Sequence, residues 1–204
     1  MSAEDLIQAH INALKKCALC PKMIGPVISH RPVISKIYLC GQAPGGREGA
    51  LGRPFAWTAG KTLFRWLASA GADEETFRSR AYIGAACRCF PGRNKAGGDR
   101  VPAADEIANC SRWMKAEFEI LKPELVIPVG KLAIELFLPK QKLTDAVGNT
   151  FCREMYGTTF DIIPLPHPSG ASSWFKIEPG KSLTSKALTL LAAHPVWKDT
   201  FGKG

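Results

Sequence analysis

The sequence lacks the marks of several protein classes. No apolar run approaches the roughly 20 residues that a membrane-spanning helix requires, and residues 1–5 do not open the basic and then apolar pattern of a secretory signal. Internal repeats, long linkers and low-complexity tracts are absent as well. These absences argue against a membrane protein, a collagen-like or disordered chain and a secreted disulfide scaffold. We expect a protein of the bacterial cytoplasm that does not bind membranes.

Acidic residues are scarce relative to basic ones. The chain has 18 Asp and Glu against 27 Lys and Arg, which gives a formal net charge of +9. That excess favours a phosphate-rich partner such as nucleic acid, although some cytoplasmic proteins are simply basic. With 204 residues, of which 46% are hydrophobic, the chain can bury a substantial core without disulfides. We expect one globular domain over residues 1–204.

Short apolar runs alternate with helical patterns along the chain. Ser2 and Asp5 have the spacing of a capping box, which predicts a first helix ending near Cys17. Buried strands are predicted at residues 34–39, 82–86, 125–129 and 161–164, and further helices around residues 62–67, 107–121, 132–138 and 183–193, the last of which we expect to close the chain. This alternation predicts a single three-layer α/β/α domain of the α/β class, with a short, mainly parallel four-stranded sheet.

The loops that follow the predicted strands are the expected location of a site, because ligands of such sheets bind beyond the carboxyl ends of the strands. The loop at residues 41–46 contains three glycines, which allow backbone N–H groups to approach a ligand closely. It has neither the Lys-Ser/Thr of a P-loop nor the GxGxxG spacing of a dinucleotide-binding loop. Residues 91–102, rich in Gly, Arg and Lys, predict a surface loop.

A histidine between two prolines follows the fourth predicted strand. Pro166 and Pro168 stiffen the backbone and fix the direction of the His167 imidazole, which favours a functional role. The small residues that follow, and then Trp174 with Phe175, suit a loop that enters DNA, where apolar side chains unstack bases. The alternative is a tight turn whose aromatic side chains pack in the core. The predicted DNA contacts of this loop are Ser169, Gly170, Ser172 and Trp174.

Seven cysteines are an odd number for disulfide pairing, and a reducing compartment favours metal ligands or core residues. Cys17 and Cys20 form a CxxC, which is typical of a redox pair, of half a zinc site or of half an iron–sulfur site. No βαβ unit surrounds it, so the redox interpretation is weak. Two further thiolates are available among Cys87, Cys89 and Cys110, and the spacing does not decide between zinc and iron–sulfur.

Four motifs together resemble, in their order along the chain, the iron–sulfur branch (families 4 and 5) of the uracil-DNA glycosylase superfamily. They are the CxxC, residues 41–55, the interval from Cys89 to Cys110 and residues 167–169. The resemblance implies a 4Fe-4S cluster held by Cys17, Cys20, Cys89 and Cys110. Cys89 matches rather than Cys87, because Pro91 and Asn94 follow it at the family's spacing. The Cys89–Cys110 interval is longer than usual, through extra residues around 95–99.

The resemblance also implies roles at a base-binding pocket. Phe55 matches the aromatic residue that stacks on the flipped base, and His167 matches the histidine that hydrogen-bonds the base carbonyl. Asn94 matches a family asparagine near the active site, and Glu48 matches an acidic position of family 4. We expect Glu48 to orient the attacking water and Gln42 to help hold it. The expected catalytic residues are His167, Glu48 and Gln42, and the expected base-binding residues are Phe55, Gly41, Ala43 and Asn94.

Several positions depart from the family patterns. Gln42 stands where family 4 has Glu, and Ala43 stands where family 1 has Asp. Gly49 replaces the Asp that usually accompanies the acidic residue of family 4. Ala85 replaces the base-reading asparagine of family 4, as in family 5, and Trp57 with Thr58 replaces the acidic residue of family 5. The chain therefore lies between the two subfamilies.

On this resemblance we expect a monomeric DNA repair glycosylase, associated with the nucleoid through DNA. It would flip uracil out of DNA and excise it by hydrolysing the N-glycosidic bond, leaving an abasic site. Without the base-reading asparagine, we also expect tolerance of other deaminated bases such as hypoxanthine or xanthine. Two other interpretations stay open. One is a non-catalytic iron–sulfur module that binds damaged or single-stranded DNA, and the other is a zinc protein with a similar sheet.

Overall fold

The structure is a computed structural model that describes residues 1–202. Its strands are β1 (Ile37–Gly41), β2 (Tyr82–Ala85), β3 (Leu125–Pro128), β4 (Phe151–Met155) and β5 (Thr158–Ile162). Its helices are α1 (Ala3–Leu14), α2 (Glu48–Leu51), α3 (Thr58–Ser69), α4 (Glu74–Arg80), α5 (Ala104–Leu121), α6 (Lys131–Phe137), α7 (Leu143–Ala146), α8 (Gly180–Ala193) and α9 (Pro195–Phe201). Residues 203–204 of the predicted domain lie outside the described part of the chain.

The five strands form one mixed sheet in the order β2-β1-β3-β5-β4. β1 pairs in parallel with β2 and β3, and β3 pairs in parallel with β5, whereas β4 runs antiparallel to β5 at the edge. The four parallel strands overlap the four predicted ones. The prediction of a four-stranded sheet is wrong by one strand. β4 has no apolar run to reveal it, because its central residues 152–154 are exposed.

A tight turn joins β4, the strand that the prediction omits, to β5. Tyr156 and Gly157 connect β4 to β5 with φ angles of 53° and 70°. Two consecutive left-handed residues are typical of the type I′ turn, whose twist matches that of a β-hairpin. A glycine in the second turn position is therefore the sequence signal that could have revealed β4.

The ends of the chain follow the predictions in part. The capping box of α1 is confirmed, since Asp5 N donates to Ser2 Oγ and Ser2 N donates to Asp5 Oδ2. The expectation that the helix at residues 183–193 closes the chain is wrong. After α8 the backbone turns at His194, and Pro195, a favourable first residue, begins α9. None of the described helices is long and apolar enough to cross a membrane.

Helices cover the sheet in a three-layer α/β arrangement. α1 packs on α5, whose Phe118 ring contacts Tyr38 of β1 and Phe160 of β5, at centroid distances of 4.9 and 5.3 Å. α3, α4, α8 and α9 form a second packed group, in which Trp197 Nε1 donates to the Ala70 carbonyl at 2.8 Å. The carboxyl ends of the four parallel strands meet at one edge of the sheet, where their following loops gather.

Candidate functional site

A cavity of about 970 Å³ lies at the carboxyl ends of the parallel strands, and we call it the sheet-edge cavity. Residues from four segments line it: 41–48, 54–59, 91–99 and 167–172. Gly84 and Ala85, at the end of β2, also line it, together with Ile28 and Arg88. Folding thus brings together all the residues that the sequence assigned to catalysis or base binding: His167, Glu48, Gln42, Phe55, Gly41, Ala43 and Asn94.

Phe55 is held rigidly against the end of β1. Its backbone is left-handed, with φ of 52°, and the carbonyls of Pro54 and Phe55 accept hydrogen bonds from the Arg78 guanidinium at 3.0 and 3.1 Å. The ring lies directly against Gly41, where an added Cβ would come within 2.8 Å of Phe55 Cζ. Only glycine permits this approach. The aromatic face is therefore preorganised at the cavity.

The Glu48 carboxylate is nearly buried, and both of its oxygens accept hydrogen bonds from backbone N–H groups. Its Oε2 accepts a hydrogen bond from Gly45 N at 3.1 Å, and its Oε1 accepts one from Ala56 N at 3.0 Å. Burial raises the pKa of Glu48, while these two N–H groups act in the opposite direction. Glu48 fastens the loop after β1 to the turn that carries Phe55. This arrangement suits a positioning role better than the predicted orientation of water.

The His167 ring is mostly buried, and its hydrogen bonds define its tautomer. Ser169 N donates to Nδ1 at 3.3 Å, and Ser169 Oγ lies 2.9 Å from the same atom. A backbone N–H can only donate, so Nδ1 accepts and the proton of the neutral ring is on Nε2. Burial lowers the pKa of His167, and the charge of Asp99 opposes that shift without reversing it. At pH 7 the neutral ring therefore offers Nε2–H as a donor.

The remaining predicted site residues differ in whether their hydrogen-bonding groups are already used within the fold. Gln42 and Ala43 are half-buried at the wall of the sheet-edge cavity. The side-chain Oδ1 of Asn94 accepts hydrogen bonds from Ala96 N and Gly98 N at 3.0 and 3.2 Å. Asn94 therefore shapes its own loop with its oxygen, and only its amide NH₂ is available to a ligand.

The loop after β5 borders the cavity through its small residues. Ser169 and Ser172 line the cavity, and Gly170 is exposed beside them. Trp174 and Phe175 lie in a 3-10 turn, where Trp174 packs against the core and Phe175 contacts Trp66 edge-on at 4.9 Å. Trp174 and Phe175 therefore pack inward, which is the alternative to insertion into DNA that the sequence left open. The DNA contact assigned to Trp174 stays a prediction.

A second cavity, of about 410 Å³, is bordered by the four predicted metal ligands, and we call it the thiol cavity: Cys17, Cys20, Cys89 and Cys110. Packing of α1 on α5 brings the CxxC close to Cys110, and a bridge between Ile24 and Phe90 holds the Cys89 segment beside it. Within residues 1–202, no three His, Cys, Asp or Glu side chains form a group that could hold a single metal ion. The four thiols surround a larger space.

Cys87 supports the thiol cavity from behind without bordering it. A hydrogen bond from Cys87 lowers the pKa of the Cys110 thiol, which favours the thiolate form that binds metals. Burial raises the pKa of Cys89 to about 11. Cys89 borders the thiol cavity and Cys87 does not, and the role of Cys89 as a metal ligand stays a prediction.

Arg88 lies between these two cysteines and borders both cavities. Its guanidinium forms an ion pair with the fully buried Glu117 of α5 and donates to Tyr38 Oη at 3.1 Å. Tyr38, Tyr82 and His10 also donate to the Glu117 carboxylate. Burial raises the pKa of Glu117, but the Arg88 charge and these donors outweigh burial and hold the pKa below its usual value. A buried charge network therefore forms the wall between the cavities.

The structure also places residues at the sheet-edge cavity that the sequence reasoning did not assign. Trp57 lies at the rim, 48% exposed, with the Arg47 guanidinium 5.7 Å from its ring centroid. Asp99 lines the cavity from the loop at residues 91–102. An added Cβ on Gly130 would lie 2.9 Å from His167 Cδ2, so this glycine lets the imidazole pack on the end of β3. No spacing rule reveals such residues, because only folding brings their segments together.

Comparisons with known proteins include a family model that matches most of the chain. The family model of the uracil DNA glycosylase superfamily matches residues 29–191, a range that includes Cys89 and Cys110 and begins after Cys20. The chain is 29% identical to a type-4 uracil-DNA glycosylase of Thermotoga maritima, over 81% of this chain and 83% of the relative. It is 26% identical to a type-4 uracil-DNA glycosylase of Archaeoglobus fulgidus, over 83% of each chain. A type-5 uracil-DNA glycosylase of Pyrobaculum aerophilum is 28% identical, over 60% of this chain and 65% of the relative.

Proposed function

The chain belongs to the uracil DNA glycosylase superfamily, and from this membership we propose that it removes uracil from DNA by hydrolysing the N-glycosidic bond. The observation that carries the proposal is the pairing, in one cavity, of the Phe55 ring with the neutral His167 ring at the ends of parallel strands. An aromatic face binds a planar base, and a fixed N–H donor binds its carbonyl. Relatives named type-4 uracil-DNA glycosylases cover most of the chain and support this function.

The target base must leave the DNA stack before it reaches the sheet-edge cavity. The net charge of +9 supplies sequence-independent attraction to phosphates, which weakens steeply with salt. The small residues Ser169, Gly170 and Ser172 allow the DNA backbone to approach closely, while Phe55 stacks on the extruded base. We expect the enzyme to act as a monomer on the DNA of the bacterial nucleoid.

His167 stabilises the charge that develops when the glycosidic bond breaks. The bond's electron pair moves to the base, and the sugar becomes oxocarbenium-like, as in glycoside hydrolysis. A hydrogen bond from Nε2–H to the base carbonyl strengthens as that oxygen becomes negative, so it favours the transition state over the bound substrate. The rigid contacts of His167 with Ser169 and Gly130 spare the ring from reorganising during the reaction.

The cavity wall favours a broad choice of deaminated bases. Ala85 lines the sheet-edge cavity at the end of β2 and has no polar side chain with which to read the base. Discrimination then rests on cavity shape and on backbone groups, which select less sharply than a side chain that hydrogen-bonds one base. We include hypoxanthine and xanthine among the substrates on this ground.

The proposal predicts abasic sites in uracil-containing DNA. Matched single- and double-stranded oligonucleotides with one uracil would be incubated with the protein, and alkaline cleavage would reveal abasic sites. Thymine at the same position is the control and is expected to stay intact, while hypoxanthine and xanthine test the breadth. If the protein binds uracil-containing DNA but leaves it intact, the non-catalytic binding module is the better account.

The thiol cavity fits a 4Fe-4S cluster held by four cysteines: Cys17, Cys20, Cys89 and Cys110. Four thiols around a cavity are a donor set typical of such clusters, and a cluster is larger than the single ion of a zinc site. When bound, the cluster would link the segment after α1 to α5 and to the segment after β2. The thiol cavity lies outside the sheet-edge cavity that holds Phe55 and His167, so we assign the cluster a structural role.

Neighbouring cysteines provide a matched test of these ligands. Anaerobically purified protein is expected to absorb visible light and to contain iron and acid-labile sulfide. Cys89→Ser should lose most of the iron, because its side chain borders the thiol cavity. Cys87→Ser, two residues away, should keep the iron, because Ser retains a donor to Cys110. Stoichiometric zinc in place of iron, or equal iron loss in both variants, would contradict the assignment.

A further inference from the structure

A carboxylate on the sugar side of the bond would accelerate hydrolysis at the sheet-edge cavity. An anionic group stabilises the cationic sugar and accepts a proton from the attacking water, as in other glycoside hydrolyses. Of the residues that line this cavity, two carry a carboxylate, Glu48 and Asp99. The two oxygens of Glu48 already accept hydrogen bonds from Gly45 N and Ala56 N, and the residue is 7% exposed. Glu48 is therefore poorly placed to receive a proton from water.

Asp99 reaches the cavity from a loop that folds back on itself. Asn94 N donates to the Gly98 carbonyl at 2.7 Å, and Arg93 and Asp99 form an antiparallel bridge, so the segment closes into a small hairpin. Arg100, the next residue, anchors the hairpin through paired hydrogen bonds to Glu106 of α5 at 2.6 and 2.7 Å. The base of the loop is thereby fixed, and Asp99 lies at its inner side.

The Asp99 carboxylate lies close to the loop that follows β1. Its Oδ2 lies 3.3 Å from the position of a Cβ added to Gly45, two residues after Ala43. It is also close enough to His167 for its charge to act on the imidazole. The side-chain hydrogen bonds and the ion pair of this loop involve Asn94 and Arg100, and within residues 1–202 none of them engages the Asp99 carboxylate. An exposed, unengaged carboxylate between Gly45 and His167 is therefore available to a water molecule inside the cavity.

We infer that Asp99 is the catalytic carboxylate of this enzyme, a role that rests on the proposed glycosylase function. As the bond between the sugar carbon C1′ and the base nitrogen breaks, its electron pair leaves with the base, which His167 stabilises. The water oxygen then bonds to C1′, and the water proton passes to the Asp99 carboxylate. The base anion takes a proton from solvent and Asp99 releases its own proton to solvent, so the products are the abasic sugar and the neutral base, and the carboxylate is regenerated. Asp99 thus supplies from the loop at residues 91–102 the carboxylate that Gln42 and Ala43 lack.

Substitution of Asp99 tests this inference through the chemical step. In single-turnover excision of uracil from single-stranded DNA, Asp99→Asn should lower the rate about 10²- to 10⁴-fold, which is the usual contribution of a general base. Affinity for the same DNA should change less than threefold, because Asp99 is assigned to the water and not to the base. Asp105→Asn, an exposed carboxylate at the start of α5, is the control and should keep the wild-type rate.

A further readout separates catalysis from a structural role. Formate added to Asp99→Ala should restore part of the rate, because the small acid can occupy the vacated space. Wild-type excision with a normal Asp99→Asn rate would overturn the inference alone, whereas a wild-type protein without excision would overturn the proposed function itself.

Discussion

Replacing His167 with alanine is expected to lower the single-turnover rate of uracil excision about 10²- to 10³-fold, which is the usual cost of removing one donor to a developing oxyanion. The Michaelis constant should change little, because the hydrogen bond from Nε2 strengthens mainly in the transition state. Rates on a uracil-containing oligonucleotide, measured with enzyme in excess, check this result. A rate within threefold of wild type would remove His167 from the mechanism.

Ser169→Ala is the matched control for His167. It removes the hydroxyl 2.9 Å from Nδ1 but keeps the backbone N–H that donates to the same atom. The tautomer with the proton on Nε2 is therefore retained, and the loss of rate should be far smaller than in His167→Ala. Because burial lowers the pKa of His167 below its ordinary value of 6.5, the ring is neutral above neutral pH, and the contribution of His167 should be nearly constant from pH 8 to 7.5.

Replacing Glu117 with glutamine is expected to lower the free energy of unfolding by about 3–5 kcal/mol, because it leaves the Arg88 charge buried without its counter-ion. Both partners are almost fully buried, with side chains 3% and 0% exposed, so solvent cannot screen the loss. Urea denaturation monitored by circular dichroism measures the change. Since Arg88 borders both cavities, iron retention and excision should decline together in this variant.

Glu119→Gln, two residues further along α5, is the control for Glu117. Glu119 is exposed and lies 3.9 Å from Lys115, an ion pair of the kind that contributes at most about 1 kcal/mol. The pH dependence gives a second check. The folded pKa of Glu117 lies below its ordinary value of 4.5, so its stabilisation is present above pH 4.5 and is lost as pH falls through the folded pKa. The stability gap between wild type and Glu117→Gln should narrow in acid.

The parallel part of the sheet could be predicted from the sequence because its strands are covered on both faces. β1, β2 and β3 are almost wholly buried and read as short continuous apolar runs. β4 has one partner strand and exposed central residues, so its pairing depends on the turn at Tyr156 and Gly157. Similarly, α9 is stabilised by packing of Trp197 and Phe201 on Phe77, which no local pattern specifies.

The residues of the candidate site could likewise be predicted only in part. Phe55, His167 and the four thiols could be named from ordered motifs, because each motif carries its residue at a set distance from recognisable neighbours. The motifs did not tell whether a polar side chain is free. Glu48 matched an acidic family position, yet its oxygens accept hydrogen bonds from Gly45 and Ala56.

The sequence by itself therefore determined the α/β class, the edge of the sheet where the site lies and the family resemblance. These follow from the burial of short apolar runs and from the order of the motifs, and both can be recognised in consecutive residues of the sequence. Only the tertiary structure decided that the Glu48 carboxylate is engaged by backbone N–H groups, how Arg88 joins the two cavities and which nitrogen of His167 carries the proton. Each of these depends on hydrogen bonds or close approaches between side chains and backbone, most of them joining segments far apart in the chain, and such contacts exist only once the core has packed.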